Sequence, residues 1–224
     1  MKKLILAAII AMFTSVSAYA GPGINIGFSG QIGLFAATAT ETDTGTHGTT
    51  TGSDEKNKES EFISLGYASL FIEKTLGDRA FLGVDYVPNA LESETTETAR
   101  QDKTTSNTPS TKTNKIQVDF EDLTTIYFGV NLTDNLYAKA GMMTVDVITN
   151  ETMGTGSTYG NTDLDGTMLG VGYAATNDSG VFLRVEGNYL TFDGASVKSA
   201  NGVNKITLDK LDGASAKISV GKAF

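Results

Sequence analysis

The chain has 224 residues, a formal net charge of −9 at pH 7, one histidine and no cysteine. Without cysteine there is no disulfide framework and no thiolate nucleophile or metal site, and one histidine excludes sites built from several histidine ligands. The acidic balance argues against nucleic-acid binding, which needs a basic surface to neutralise phosphates.

Residues 1–20 have the features of a secretory signal peptide. A basic start with Lys2 and Lys3 precedes an uncharged apolar run, and small residues lead up to Ala20. A buried core helix or a membrane anchor is the competing interpretation, but the run is too short to span a bilayer as a helix. We expect cleavage after Ala20, which leaves a mature chain over residues 21–224 without a transmembrane helix.

The mature chain alternates between apolar residues and small or polar residues with a period of two, which is typical of β-strands. Eight runs follow this pattern, so we expect eight strands. In chain order, the sets of shared parity are Ile24, Ile26, Phe28, Ile32, Leu34 and Ala36; Ile63, Leu65, Tyr67, Ser69 and Phe71; Ala80, Leu82, Val84 and Tyr86; Ile116, Val118, Phe120, Thr124, Ile126, Phe128, Val130 and Leu132, interrupted by Asp122; Leu136, Ala138, Ala140 and Met142; Leu169, Val171, Tyr173 and Ala175; Val181, Leu183, Val185 and Tyr189; and Ala214, Ala216, Ile218, Val220 and Phe224.

The connections between these runs are alternately short and long. Short turn-forming segments lie at 76–79, 133–135 and 177–180, and long segments rich in Thr, Ser and charged residues lie at about 38–60, 88–114, 148–166 and 193–205. We expect the long segments to be mobile hydrophilic loops, with strand pairing continuing above the membrane near 116–120 and 206–211.

This layout predicts an all-β fold, a transmembrane eight-stranded antiparallel up-and-down β-barrel with both ends of the mature chain on the short-turn side. A soluble β-sandwich or barrel is the competing fold, since a sheet with one wet face also alternates with a period of two. A polar face common to every strand, and export without disulfides, favour the membrane barrel. A ten-stranded count stays open if loop segments cross the membrane.

The inward-facing set carries charged residues, although an eight-stranded barrel is only wide enough inside for side chains. These are Asp85, Lys139, Arg184, Glu186 and Lys217. They predict either an ion-pair network that plugs the lumen or a charged lining that selects solutes. The plug is favoured, because Arg184 and Glu186 share a parity and Lys217 lies on the next strand, so mutual pairing is easy.

Glycines and aromatic residues follow the same two faces. We expect glycines to relieve crowding inside the barrel and aromatic residues to form girdles outside it. The inward glycines are Gly27, Gly33, Gly66, Gly83, Gly129, Gly141, Gly170, Gly172 and Gly221, and the outward aromatics are Phe28, Phe71, Tyr86, Phe128, Tyr173, Tyr189 and Phe224.

The last strand, residues 214–224, resembles the C-terminal assembly signal of Gram-negative outer membrane proteins through Ile218, Val220 and the final Phe224. Lys222 departs from that signal, which usually has an aromatic or apolar residue at this position. The mature chain is similar in pattern to the small eight-stranded families, namely outer membrane proteins W and X, the opacity proteins and the transmembrane part of the protein A family. The resemblance implies location in the outer membrane after export, contact with lipid and lipopolysaccharide, and insertion by the barrel assembly machinery.

Two loop segments offer weak chemical signals. Residues 161–166 match the first half of an EF-hand calcium loop, but Gly172 stands where the bidentate Glu belongs. His47 is the only possible histidine base of a lipid-modifying enzyme, and it lies in a low-complexity tract that gives it no fixed geometry. We therefore predict no catalytic residue, no metal site, no cofactor and no enzymatic activity.

The sequence predicts a structural or surface-interaction role for a barrel with a plugged lumen, with no nucleic-acid partner and an extracellular partner that the sequence does not reveal. The alternative is a narrow channel or a transporter of small hydrophobic solutes, for which Met142, Met143 and Met168 could line a soft apolar path.

Overall fold

The computed structural model describes residues 23–43, 46–47, 50–51, 54–103, 109–154 and 158–224. The predicted signal peptide lies outside the described residues. Within them, no helix is long and apolar enough to cross a membrane.

Fourteen strands occur in the described residues, and they differ widely in length. In chain order they are β1 Ile24–Asp43, β2 Thr46–His47, β3 Thr50–Thr51, β4 Glu55–Leu76, β5 Ala80–Tyr86, β6 Leu91–Glu92, β7 Thr96–Lys103, β8 Pro109–Asn131, β9 Leu136–Met153, β10 Thr162–Thr176, β11 Val181–Phe192, β12 Ala195–Lys198, β13 Asn204–Leu208 and β14 Leu211–Ala223.

Eight of these, which we call the principal strands, pair one after another in the order β1, β4, β5, β8, β9, β10, β11 and β14. β14 then pairs with β1, with Phe28 opposite Val220, so each principal strand has a neighbour on both sides. All pairings are antiparallel, as predicted for this all-β chain. Three connections within the ring are short turns, over 77–79, 132–135 and 177–180, and they share one end of the sheet with Ile24 and Ala223. We call this the turn end and the opposite end the loop end.

The two faces of the principal strands differ in the way the alternation predicts. One face is buried, and the other is exposed and apolar. We call the exposed apolar residues the apolar belt: Ile26, Phe28, Ile32, Leu34, Leu70, Phe128, Val130, Leu136, Met142, Leu169, Val171, Tyr173, Leu183, Val185, Tyr189 and Ile218. Fifteen of the sixteen belt residues belong to the sets of shared parity expected to face outward, and Leu70 is the exception.

The sequence assigns the two faces of β4 the wrong way round. Phe71, expected in an outer girdle, is only 5% exposed, and Gly66, expected inside, is exposed. The cause is register, because Ser69 lies opposite the buried Ser29 of β1 and so carries every odd-numbered residue of β4 inward. Hydrophobicity does not distinguish the two faces here, since both mix small and apolar residues.

β8 changes face at a β-bulge. Its register with β9 shifts between Glu121 and Thr124, and Asp122 has a φ of 54°. The extra residue reverses the alternation. Phe120 therefore packs against the buried core, whereas Phe128, of the same parity, is exposed. The prediction of one outward set from Ile116 to Leu132 is wrong for this reason.

The strands extend into segments that were expected to be loops. β1 continues to Asp43 opposite Glu55 of β4, and β8 pairs with β9 as far as Asn114 opposite Met153. The pairing expected near 206–211 is present as β13, which lies against β1. These segments are rich in threonine, which favours strands, and pairing satisfies their backbone hydrogen bonds.

Candidate functional site

The five charged residues predicted to face inward are all buried on one face of the sheet. Asp85 comes from β5, Lys139 from β9, Arg184 and Glu186 from β11, and Lys217 from β14, and each is 9% exposed or less. A sixth charged residue, Glu73 of β4, joins them with 1% exposure. Sequence reasoning missed Glu73, although it has the same parity as Ser69 and Phe71.

Glu73 and Arg184 form the first ion pair, at the turn end. The guanidinium donates to both carboxylate oxygens, from Nη1 to Oε1 at 2.5 Å and from Nη2 to Oε2 at 2.8 Å. Tyr127 also donates to Oε1 at 2.9 Å, and Asn25 donates to Oε2 at 3.0 Å. Glu73 thus accepts four hydrogen bonds, which compensates for the loss of water around its charge.

Aromatic rings enclose the guanidinium of Arg184. The Phe182 ring centroid lies 4.4 Å from Cζ, and those of Tyr137, Phe81 and Phe71 lie at 5.4, 5.6 and 5.7 Å. Cation–π attraction adds to the carboxylate contacts and is strongest where water is excluded. Arg184 is therefore held both by its ion pair and by the rings around it.

Lys139 and Glu186 form the second ion pair. Lys139 Nζ donates to Glu186 Oε2 at 2.5 Å, and the Tyr137 hydroxyl donates to Oε1 at 2.5 Å. The ammonium group also lies 4.8 Å from the centroid of the Tyr127 ring. Tyr127 and Tyr137 thus connect the first pair to the second, because each contacts a member of both.

Lys217 and Asp85 form the third ion pair. The expected mutual pairing of Arg184, Glu186 and Lys217 is not what forms. Glu186 and Lys217 are opposite each other in register, yet each makes its ion pair with a different strand. The three pairs combine three acids with three bases, so the network has no net charge.

All three ion pairs join strands that are not neighbours. Two principal strands separate Arg184 from Glu73 and Lys217 from Asp85, and one separates Lys139 from Glu186. Side chains on one face of a flat sheet do not reach across two intervening strands, because adjacent strands lie about 4.8 Å apart. The buried face therefore curves around an interior, and the ion pairs cross it.

Glycines give the buried aromatic rings their room. Tyr127 lies opposite Gly83, where an added Cβ would be 2.5 Å from the ring, and Phe81 lies opposite Gly129, where a Cβ would overlap the ring. Four more rings lie opposite a glycine in the neighbouring strand. The pairs are Phe71 and Gly27, Tyr137 and Gly172, Phe182 and Gly221, and Phe35 and Gly213. Of the nine glycines expected inside, only Gly66 is misplaced, because the other eight all meet buried side chains.

The interior near the loop end is apolar, although the inward set was expected to be small or polar. Here a pocket with a volume of ≈ 40 Å³ is lined by residues that include Phe35, Leu65, Leu123, Val145, Leu164 and Leu190. Below it, a smaller cavity of ≈ 20 Å³ reaches Gln31, Asp85 and Lys217 of the polar layer. The interior is thus divided into an apolar pocket at the loop end and an ion-pair network beneath it.

The weaker sequence candidates do not form a site in the described residues. Thr162–Gly166 belongs to strand β10, and Asn161 Oδ1 accepts the backbone N–H of Thr149, which is incompatible with an EF-hand loop. No cluster of three potential metal ligands occurs in this part of the chain. The backbone of His47 lies in β2 opposite Thr50, and its side chain is outside the described part. Met143 and Met168 are buried, whereas Met142 is 71% exposed in the belt.

No family model and no curated protein sequence matches the chain. Among solved structures, it is similar to the outer membrane protease OmpT of Escherichia coli at 8% identity, over 94% of this chain and 100% of that chain, with a TM-score of 0.45. The outer membrane protein OprG of Pseudomonas aeruginosa is 13% identical over 90% of this chain and 96% of that chain, with a TM-score of 0.49. The outer membrane protein AlkL is 10% identical over 94% of each chain, with a TM-score of 0.43. All three of these structural neighbours are outer membrane proteins.

Proposed function

We propose that this chain is an integral outer membrane protein whose eight principal strands form a closed transmembrane barrel with a plugged lumen. The observation that carries the proposal is the contrast between the two faces. The face of the belt has no charged residue over 26–36, 62–72, 80–86, 124–132, 136–142, 167–175, 181–189 or 214–220, whereas six charges lie on the opposite face. A soluble sheet would have the reverse arrangement.

The height of the belt supports a membrane location. From Ile26 to Ala36, ten steps of about 3.3 Å extend about 33 Å along the strand. At the usual strand tilt of about 40°, this corresponds to about 25 Å along the membrane normal, which is the height of the apolar band of outer membrane barrels. Pairing with both neighbouring strands also satisfies most of the backbone over this height, as hydrocarbon requires, although β4 pairs with β5 only over residues 70–76.

The role of such a barrel is structural or interactional at the cell surface. An eight-stranded interior is just wide enough for side chains, and here three cross-interior ion pairs and six aromatic rings occupy it. In the alternative, a narrow channel, permeating ions would have to pass the three ion pairs, whose charges already compensate one another. Its other form, a carrier of small hydrophobic solutes, is favoured by the apolar pocket at the loop end.

The proposal includes the cellular context that the sequence predicts. Export by residues 1–20 would deliver the chain to the outer membrane of a Gram-negative bacterium, where lipopolysaccharide would surround the belt. Ile218 on the last strand and Phe224 directly after it are exposed, which suits recognition of that strand by the barrel assembly machinery. No enzymatic role is proposed, and His47→Ala should leave the lipid composition of expressing cells unchanged.

Single-channel recording tests the plug. The mature chain is refolded in lipid vesicles, its folding is verified by a heat-sensitive shift in gel mobility, and it is then fused to a planar bilayer. We expect no discrete conductance steps at neutral pH, with a sixteen-stranded porin as the positive control. Reproducible steps from folded protein would show that the lumen is open and would contradict the plug.

A further inference from the structure

A polar groove lies on the outside of the sheet, above the belt. It has a volume of ≈ 450 Å³ and is lined by residues of β8, β9 and the link between β6 and β7, which include Thr95, Lys115, Gln117, Asn150 and Thr152. We call it the outer groove. Ligand pockets commonly measure about 300–1,000 Å³, so this groove has room for a small polar molecule or for a short stretch of a polymer.

A β-bulge forms one wall of the outer groove. Glu92 of β6 lies opposite Asp119 of β8, and Thr96 of β7 lies opposite Ile116, so three residues of the link face two residues of β8. One extra residue in a paired strand makes that strand bend away from its partner. The bend places Thr95 at the wall of the groove.

Two side-chain amides at the centre of the groove are held by one carboxylate. Phe120 packs against the buried core, so Gln117 and Asp119, at odd positions of the same strand, face outward. Gln117 lies directly opposite Asn150 of β9. Gln117 Nε2 donates to Asp119 Oδ1 at 3.3 Å, and Asn150 Nδ2 donates to Asp119 Oδ2 at 2.6 Å. Asp119 therefore fixes the orientation of both amides.

The fixed amides offer hydrogen-bond acceptors to a ligand. Each directs its nitrogen to Asp119, and within the part of the chain that the structure describes neither amide oxygen accepts a hydrogen bond. The hydroxyl groups of Thr95 and Thr152 lie in the same lining. A row of acceptors and hydroxyl groups suits a sugar, because each sugar hydroxyl can donate one hydrogen bond and accept others.

The charges around the groove disfavour an anionic ligand. The lining has one cation, Lys115, and one anion, Glu151. Glu97 already compensates Lys115, with 3.0 Å between Oε2 and Nζ. Next to the groove, Glu92 and Asp119 lie opposite each other and add two more negative charges. A phosphate, sulfate or carboxylate group would meet like charge here, whereas a neutral sugar would not.

The outer groove lies above the lipid headgroups of the proposed barrel. On β9, Asn150 is eight residues beyond Met142 of the belt. This separation is about 26 Å along the strand and about 20 Å along the membrane normal at a tilt of about 40°. The headgroup region extends only about 5–8 Å beyond the hydrocarbon. The groove therefore opens sideways into the aqueous layer in which surface sugars lie.

We propose that the outer groove binds a neutral oligosaccharide, through the amide oxygens of Gln117 and Asn150 and the hydroxyl groups of Thr95 and Thr152. The proposal deepens the surface-interaction role given above and rests on it, because it names the chemical class of the partner. The sugar can belong to the surrounding lipopolysaccharide or to a free glycan, and the test separates these two sources.

NMR of the folded mature chain in lipid nanodiscs tests binding, with the side-chain amides labelled with ¹⁵N. In phospholipid nanodiscs the probes are maltose, lactose and mannobiose, and a shift of the Gln117 and Asn150 signals identifies a free glycan as a ligand. In nanodiscs without added sugar, a shift when lipid A is replaced by lipopolysaccharide with its core sugars identifies lipopolysaccharide. Amides that stay silent in all these samples overturn the groove proposal.

Two further measurements separate this proposal from the membrane placement and from a charged ligand. NOEs from lipid acyl chains to the methyl groups of Leu169, in the belt, report the placement on the same samples. Their absence overturns the placement, whereas silent amides in a sample that shows them overturn only the groove. The 6-phosphate of a responding disaccharide should bind at least about tenfold more weakly than the disaccharide itself, and equal or tighter binding contradicts a neutral ligand.

A matched pair of variants ties the signal to the groove. Asn150→Leu removes an amide and should weaken binding about tenfold, measured from the remaining Gln117 signal, as expected for the loss of one hydrogen bond. Asn57→Leu, the same change at an exposed position of β4, should leave binding unchanged. If Asn150→Leu does not fold by the heat-sensitive gel shift, Thr152→Val replaces it. Undiminished binding in a folded groove variant contradicts the proposal.

Discussion

Replacing Glu73 by glutamine should destabilise this protein more than any other single amide-for-acid change. Glu73 pairs with Arg184, a residue 111 positions away in the sequence, and both are buried. Each carboxylate oxygen accepts one hydrogen bond from Arg184 and one from a neutral donor, Tyr127 or Asn25. Glutamine offers one oxygen and one amide nitrogen, so two of the four acceptor contacts are lost in either orientation.

The magnitude follows from these contacts. Two charge-assisted hydrogen bonds at about 1.5–3 kcal/mol each give about 3–6 kcal/mol. Removing one partner of a buried ion pair costs about 3–5 kcal/mol, because the other charge stays buried without compensation. The two figures agree, and we expect the free energy of unfolding of Glu73→Gln to fall by about 4 kcal/mol.

Urea titration of protein folded in lipid vesicles measures this change, with unfolding followed by the heat-sensitive gel shift. Glu59→Gln, an exposed position on the same strand, is the control and should stay within about 0.5 kcal/mol of the wild type. Replacing Glu73 and Arg184 together by methionine should recover more than half of the loss, since no buried charge is left alone. A loss below about 1 kcal/mol in Glu73→Gln would refute the reasoning, because the pair would then contribute no more than a surface ion pair.

Three further changes probe the interior and the belt. Glu186→Lys places a cation beside Lys139, and we expect urea titration to show a lower free energy of unfolding. We expect no ion-selective conductance from this variant, and a selective conductance would argue for a pore. Gly129→Val would press on the buried Phe81 ring and should lower the free energy of unfolding by about 1–3 kcal/mol. Gly30→Ala, where an added Cβ meets open space, should leave it nearly unchanged in the same titration. Val171→Arg in the belt should lower the free energy of unfolding in lipid vesicles by about 2–4 kcal/mol. A variant as stable as the wild type would contradict membrane burial of the belt.

The sequence predicts the faces of a strand well where one parity is apolar and the other is polar. In β11, Val181, Leu183 and Val185 alternate with Phe182, Arg184 and Glu186, and the two charged residues indicate which side faces the interior. The sequence also predicts the order of the strands in the ring, because its connections are alternately short and long.

Where both parities look alike, the sequence alone fails. In β4, Leu65 and Leu70 have opposite parity and small residues occur in both sets, so the inward set is decided by register with β1 and not by hydrophobicity. This is why Phe71 and Gly66 were misplaced and why Glu73 was missed. The same difficulty hides the bulge at Asp122, because one inserted residue reverses the faces of β8 without changing its composition.

The apolar pocket escaped sequence analysis for a different reason. Phe35, Leu65 and Leu190 have the inward parity, but each lies beyond the stretch in which polar inward residues define the pattern. Their meeting in space depends on the curvature of the ring. Alternation describes single strands, and it does not show which residues of the eight strands lie at the same height in the ring.

The ion pairs that cross the interior also lead to an expectation about the assembly of the proposed barrel. Glu73 and Asp85 are in the first half of the chain, whereas Arg184 and Lys217 are in the second half. In the proposed membrane barrel, a hairpin inserted alone, such as β4 with β5, would carry Glu73 and Asp85 into hydrocarbon without their ion-pair partners Arg184 and Lys217. That cost favours concerted closure over stepwise insertion of hairpins. In that barrel, Glu73 and Asp85 would meet their cationic partners only when β11 and β14 arrive.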